Sequence, residues 1–273
     1  MIKLLNIEWI KIRNSKSFKV LGLIWLIAFI AIPVGFNSLI EWFENMGLEG
    51  SQLLPIKPTD FPVFDFLDIW QNLAYIYKYI TILLCFVIIV NVSNEFNYKT
   101  VRQNIIDGMS KQEFVFSKFL LIIASSFIAS ILLAILGFIV GAAFSPKSEV
   151  AVVFQNFNFV FAYFLHLVLH LSYCLFFAVL LKRSGILIAL LIVYSYIIEP
   201  TITQIVSIPL NSGWLTKFFP MNASWNLIPR PIEKYFLMEV QDFVAWNDVL
   251  IALLYIFISL SGTYLLITKR DIK

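Results

Sequence analysis

The amino-acid sequence predicts an all-α integral membrane protein: six transmembrane helices, an N-terminal interfacial helix, a short polar helix on the cytoplasmic side between spans 2 and 3, and short helices in the last outer loop. The first observation is composition. Hydrophobic residues make up 60% of the 273 residues and charged residues 14%, against about 45–50% and about 25% in soluble domains, and the mean hydropathy is +0.86. The second is length. A helix needs about 20 apolar residues to cross a bilayer core, and such windows occur at about 21–40, 75–92, 119–144, 157–181, 186–208 and 249–268. The third is where the charges fall.

Cytoplasmic loops are enriched in Lys and Arg. With the N-terminus inside, 14 of the 20 basic residues lie on inner segments: Lys3, Lys11, Arg13, Lys16 and Lys19 before span 1; Lys99, Arg102, Lys111 and Lys118 after span 2; Lys182 and Arg183 after span 4; and Lys269, Arg270 and Lys273 at the end. Acidic residues favour the other side, with Glu41, Glu44, Glu49, Asp60, Asp65 and Asp68 in the first outer loop. Both termini are therefore expected in the cytoplasm. The net charge of +3 reads as topology. Its basic residues are spread over four inner segments rather than one patch, so no nucleic-acid partner is expected.

Residues 1–273 read as one membrane domain. Within 1–18, Ile2, Leu5, Trp9 and Ile12 form a stripe at helical spacing beside Lys3, Lys11 and Arg13, which suits an amphipathic helix at the interface. Leu4, Ile7 and Ile10 fall on its other face and suit packing on protein. The basic region is too long and the apolar stretch exceeds the roughly 7–15 residues of a signal peptide, so span 1 is expected to stay. Spans 4 and 5 are joined by a tight turn, Lys182-Arg183-Ser184-Gly185. Ser126, Ser130, Ala134, Gly137 and Gly141 line one strip of span 3, where small residues let another helix approach closely. In span 5, Pro200 invites a kink, and Glu199 is either a gate or substrate contact or an interfacial carboxylate facing water. The outer loop 41–74 carries Pro55, Pro58 and Pro62. The outer loop 209–247 is rich in Trp, Phe and Pro, as suits short helices at the membrane surface.

Residues 95–118 are the most informative polar segment. Thr100 with Gln103 fits a capping box that would open a short helix, Gly108 would end it, and Ser110 with Glu113 would open the next. Arg102 in the first turn and Asp107 in the last oppose the helix dipole. Something other than helix stability placed them.

Chemistry has little to stand on. No phosphate-binding G-x-x-x-x-G-K-[ST] loop, G-x-S-x-G elbow or H-E-x-x-H zinc helix occurs. The chain is not expected to be an enzyme or to bind a cofactor. His166, His170 and Cys174 share one face of span 4 and are soft-metal ligand types. One face of one helix seldom closes a coordination shell, and no other His exists, so no metal is expected. Lining a translocation path or forming an interhelical hydrogen-bond network are the remaining readings. Cys85 and Cys174 both fall inside spans, so no disulfide framework is expected.

The run Glu95-Phe96, Thr100-Val101-Arg102, Gly108-Met109-Ser110-Lys111, Phe114 and Ser117-Lys118 resembles the segment between spans 2 and 3 of ABC-2 type transport permeases, where a short coupling helix docks onto the ATPase subunit. Layout matches over the whole chain and the motif over about 24 residues. The resemblance implies an exporter subunit in the bacterial cytoplasmic (inner) membrane, with 1–18 as connecting helix. Its implied partners are two ABC ATPase subunits, which carry ATP and Mg, a second permease copy or a sister permease, and membrane lipid. Glu95, Arg102 and Asp107 would orient or hold the docked helix, which runs from Thr100 to Asp107; Gly108 and Ser110 would shape it, and Lys111 would contact the ATPase. The family often has Gly before the Thr and Arg after the Ser, where this chain has Lys99 and Lys111, and Lys lacks the planar fork for bidentate contacts. The residues on their own leave two other classes open: a non-transporting immunity, assembly or anchoring protein, and a membrane metalloenzyme.

Overall fold

The computed structural model describes residues 2–45, 63–145, 150–210, 213–231 and 243–269, and these form an all-helical bundle. The outer-loop prolines Pro55, Pro58 and Pro62 and the aromatic pair Tyr235 and Phe236 lie outside the described residues. Helix α1 spans Ile2–Asn14 and α2 Lys16–Asn45. The expected 1–18 helix ends early because Ser15 caps the next helix, its hydroxyl accepting the Phe18 amide at 3.4 Å. Helix α3 is Ile69–Asn97, α4 Thr100–Ile106, and α5 Lys111–Phe144. At 34 residues, α5 is ~50 Å long, so it outruns a hydrocarbon core of ~30 Å. One end of it must stand in the interface.

After the single turn α6 (Val150–Val153), α7 covers Asn158–Leu181 and α8 covers Ser184–Val193. Lys182, with φ 58°, takes the left-handed conformation of the tight turn between them. A π-helical stretch, Tyr194–Ile198, links α8 to α9 (Glu199–Leu210). The Glu199 amide bonds the Tyr194 carbonyl five residues back. This local widening absorbs the clash and the missing donor of Pro200, so the span continues past it. Two short helices, α10 (Gly213–Thr216) and α11 (Pro220–Trp225), precede α12 (Trp246–Lys269). Among the described residues, six helical stretches are long and apolar enough to cross a membrane, the fifth being α8 to α9.

Helix α7 is the hub, packed against α3, α5, α8, α11 and α12. The outer helices turn Leu23, Ile27, Ile205, Leu250 and Phe257 away from the bundle. That surface would be unusual in water and is ordinary against lipid. The small-residue strip of α5 meets this chain's own α3 region: Trp70 covers Gly137 and Phe66 covers Gly141. Trp70 is held by its indole N–H to the Val153 carbonyl at 2.8 Å and by the edges of Phe138 and Phe157. Ser126 and Ser130 are buried on the same strip, and Ala134 packs on the core. Tyr77 ties α2 to α3 by donating to the Phe29 carbonyl at 2.6 Å while its ring stacks on Phe29 at 4.0 Å.

Candidate functional site

Lys99 begins the α4 segment. With φ 57° it turns the chain out of α3, and its carbonyl accepts the amides of Arg102 and Gln103. The expected Thr100–Gln103 capping box is therefore absent. Thr100 is already the first helical residue, its hydroxyl donating back to the Glu95 carbonyl at 3.2 Å, and Gln103 donates forward to Asp107 at 2.9 Å. The other local readings stand. Gly108 has φ 102°, and the Met109 and Gly108 amides bond the Asn104 and Ile105 carbonyls, the paired bonds of a left-handed helix stop. Ser110 and Glu113 form a reciprocal capping box at the head of α5.

Arg102 and Asp107 both lie on the exposed side of α4, where they are joined by two apolar residues that sequence reasoning passed over, Tyr98 at 76% and Ile106 at 66% exposure. Val101, on the opposite side, is buried. Lys111, expected to contact the ATPase, points elsewhere, and Glu95, expected to orient or hold the helix, lies at its buried root. Lys111 donates to the Thr268 carbonyl at 3.0 Å, at the last turn of α12, where a cation complements the helix dipole. Glu95 is buried.

Glu95 belongs to a buried charge network. Lys118 Nζ donates to Glu8 Oε2 at 2.5 Å and to Glu95 Oε1 at 2.6 Å; Ser117 donates to Glu8 Oε1 at 3.1 Å, and Lys11 reaches both carboxylates at 3.3–3.4 Å. Two ammonium groups face two carboxylates, so the charge is balanced where water is scarce. Burial alone would raise the Glu8 carboxyl, but the charges of Lys118 and Lys11 and the hydrogen bonds from Lys118 and Ser117 hold it below its ordinary value. Leu5 and Trp9 point outward, as the interfacial stripe of α1 requires, but the other face is corrected: Ile7 and Ile10, expected to pack on protein, are exposed, and α1 buries Glu8 and Ile12 instead, with Glu8 bonded to Lys118. The signal available in the sequence was that Glu8 is the one acidic residue among 1–19.

A second polar network holds α11 at the other end of the bundle. The Nδ1 atoms of His166 and His170 both meet the Ser224 hydroxyl, at 2.7 and 2.9 Å, and His166 Nδ1 lies 3.1 Å from the Ser224 carbonyl. Tyr173 donates to the Pro220 carbonyl at 3.1 Å. Glu199 Oε1 accepts the Asn222 amide at 2.7 Å, near the start of α11, where a carboxylate serves amides left free by the helix. At 2% exposure, Glu199 is not an interfacial carboxylate facing water. Cys174 is buried and unbridged, as is Cys85, and the histidines engage Ser224 rather than the cysteine four residues on.

Residues 52–273 match a protein family described as a protein of unknown function, DUF2705. The chain belongs to the DUF2705 family. No curated protein matches it. The family match takes in α3 to α12, hence the α4 face, Glu95, Lys118 and the α11 network, while Glu8 and Lys11 on α1 precede the matched residues.

The α4 end combines an exposed short helix with a buried charge network at its root. Thr100 bonds the carbonyl of Glu95, Glu95 bonds Lys118 of α5, and Lys118 bonds Glu8 of α1. These bonds link the root of α4 to α3, α5 and α1.

Proposed function

We propose that the chain is the membrane-spanning subunit of an ATP-driven transporter, working as an exporter, and that the exposed side of α4 is where the ATPase docks. One observation carries this reading: Tyr98, Arg102, Ile106 and Asp107 stand out together at the end of the bundle while the roots of α4 are tied into it. Apolar side chains beside opposite charges are what a protein partner recognises, with the charges setting orientation. The Lys and Arg distribution supports placing this end, with both termini, in the cytoplasm of a bacterial cell.

In this reading two ATPase subunits hold ATP and Mg, and the bundle pairs with a second copy or a sister permease within the lipid. Closure of the ATPase pair displaces α4. Glu95 and Lys118 pass the displacement to α1, α3 and α5, and the bundle switches between two packings. The experiment is co-purification with the ATPase from membranes of the source cell. Exchanging the charges, Arg102→Asp with Asp107→Arg, is expected to abolish co-purification while the permease remains folded. An ATPase that assembles normally on the double variant would refute the docking surface.

A further inference from the structure

A cavity of about 350 Å³ opens at the α11 end of the bundle, between α3, the segment after α11 and the start of α12. Lys78, which lines it, and Glu95 are 17 residues apart on α3, so the cavity lies ~25 Å along the helix axis from the charge network. Among the described residues, three cations line it, Lys78, Lys217 and Arg230, with one carboxylate, Asp248. Lys78 is 5% exposed. Its ammonium donates to the Ile228 carbonyl at 3.1 Å and sits 3.9 Å from the Tyr75 ring centre and 5.2 Å from that of Trp225. Among the described residues no carboxylate pairs with it. Aromatic faces return at best ~2 kcal/mol to such a cation, whereas desolvating it costs several kcal/mol. Asp248 lies with Lys217 at 4.0 Å.

We propose that this cavity binds a phosphate group, that of an anionic lipid headgroup or of a soluble phosphate compound. A phosphate offers several oxygens to cations arriving from different elements, and Arg230 presents the planar fork that suits it. Tyr75, Tyr79 and Trp225 also line the cavity, and Tyr and Trp are the residues enriched at membrane–water interfaces, where lipid phosphates lie. The proposal does not rest on ATPase docking, and its test involves no ATPase.

The test is native mass spectrometry of the detergent-purified full chain with phosphatidylglycerol, with a phosphate-free galactosyl diacylglycerol, and with inorganic phosphate as competitor. Phosphatidylglycerol is expected to be retained about tenfold over the phosphate-free lipid, Lys78→Met and Arg230→Gln each to reduce retention about fivefold, and Asp248→Asn to raise it about threefold by removing the opposing charge. The gain from Asp248→Asn separates recognition from misfolding, since a misfolded variant does not bind better. Displacement by millimolar phosphate assigns the site to soluble phosphate, and retention in its presence assigns it to the lipid headgroup. Either sustains phosphate recognition. Equal retention of the two lipids, or retention indifferent to Lys78→Met and Asp248→Asn in monodisperse protein, overturns it.

Discussion

Lys118 Nζ lies 2.5 Å from a carboxylate oxygen of Glu8, a contact that joins the first helix of the chain to the head of the third span across 110 residues. Both side chains are essentially inaccessible, at 1% and 0% exposure. A buried pair of this kind adds little over a well-packed apolar pair, but breaking it leaves an uncompensated charge. It is a device for setting where α1 sits.

Lys118→Met leaves Glu8 and Glu95 to share Lys11 alone, one buried charge uncompensated, and is expected to cost about 3–5 kcal/mol. The double variant Glu8→Gln with Lys118→Met is expected to cost clearly less than the sum of the two single changes. Denaturation in mixed micelles measures both, and strict additivity would contradict the pairing.

The same network sets an acid limit. Burial opposes ionisation of Glu8, but Lys118 and Lys11 hold its folded value below the ordinary 4.5. A depressed carboxyl contributes stability that is fully present above its unfolded value and is lost as pH falls through the folded one. Wild type is thus expected to be more stable than Glu8→Gln at about pH 7, with the advantage shrinking below about pH 4.5. Paired melting curves from pH 7 to about pH 3 check this, and a gap that widens on acidification would reverse the sign.

Gly137→Ala is expected to destabilise by about 1–3 kcal/mol. A Cβ there would stand 2.6 Å from the Trp70 ring, which its hydrogen bond to Val153 keeps from retreating. Gly22, with nothing within 4 Å of its added Cβ, is the control, and Gly22→Ala is expected to be neutral or stabilising by up to about 1 kcal/mol. Thermal unfolding in detergent compares the two.

Ser110→Ala removes a capping box and is expected to cost about 1 kcal/mol, whereas Thr100→Ala, which removes no cap, costs about half of that or less. Equal losses in the same unfolding assay would restore the capping role to Thr100.

The spans were legible because apolar length alone specifies them, and Gly108 and Ser110 because stops and capping boxes depend on residues within one turn. The protein-packing face of α1 was not: Ile7 and Ile10 offered it locally, yet both are exposed and Glu8 decides which face is buried through a partner 110 residues away. Thr100 was misread because Lys99 adopts a left-handed conformation usual for Gly or Asn, and this moves the helix start by one residue. Glu199 looked costly in a membrane helix. What resolves it is an amide of α11, an element whose position no local pattern predicted.

Docking of an ATPase on α4 is the central claim, and cross-linking tests it most directly. Cys85 and Cys174 are buried, so Ile106→Cys, at a position 66% exposed, supplies a uniquely accessible thiol among the described residues. Treated in native membranes with a short thiol-to-amine cross-linker, this variant is expected to yield an adduct with the ATPase subunit, with a yield that changes when ATP is added. An assembled, active complex that gives no adduct from Ile106→Cys, with or without ATP, would contradict the account.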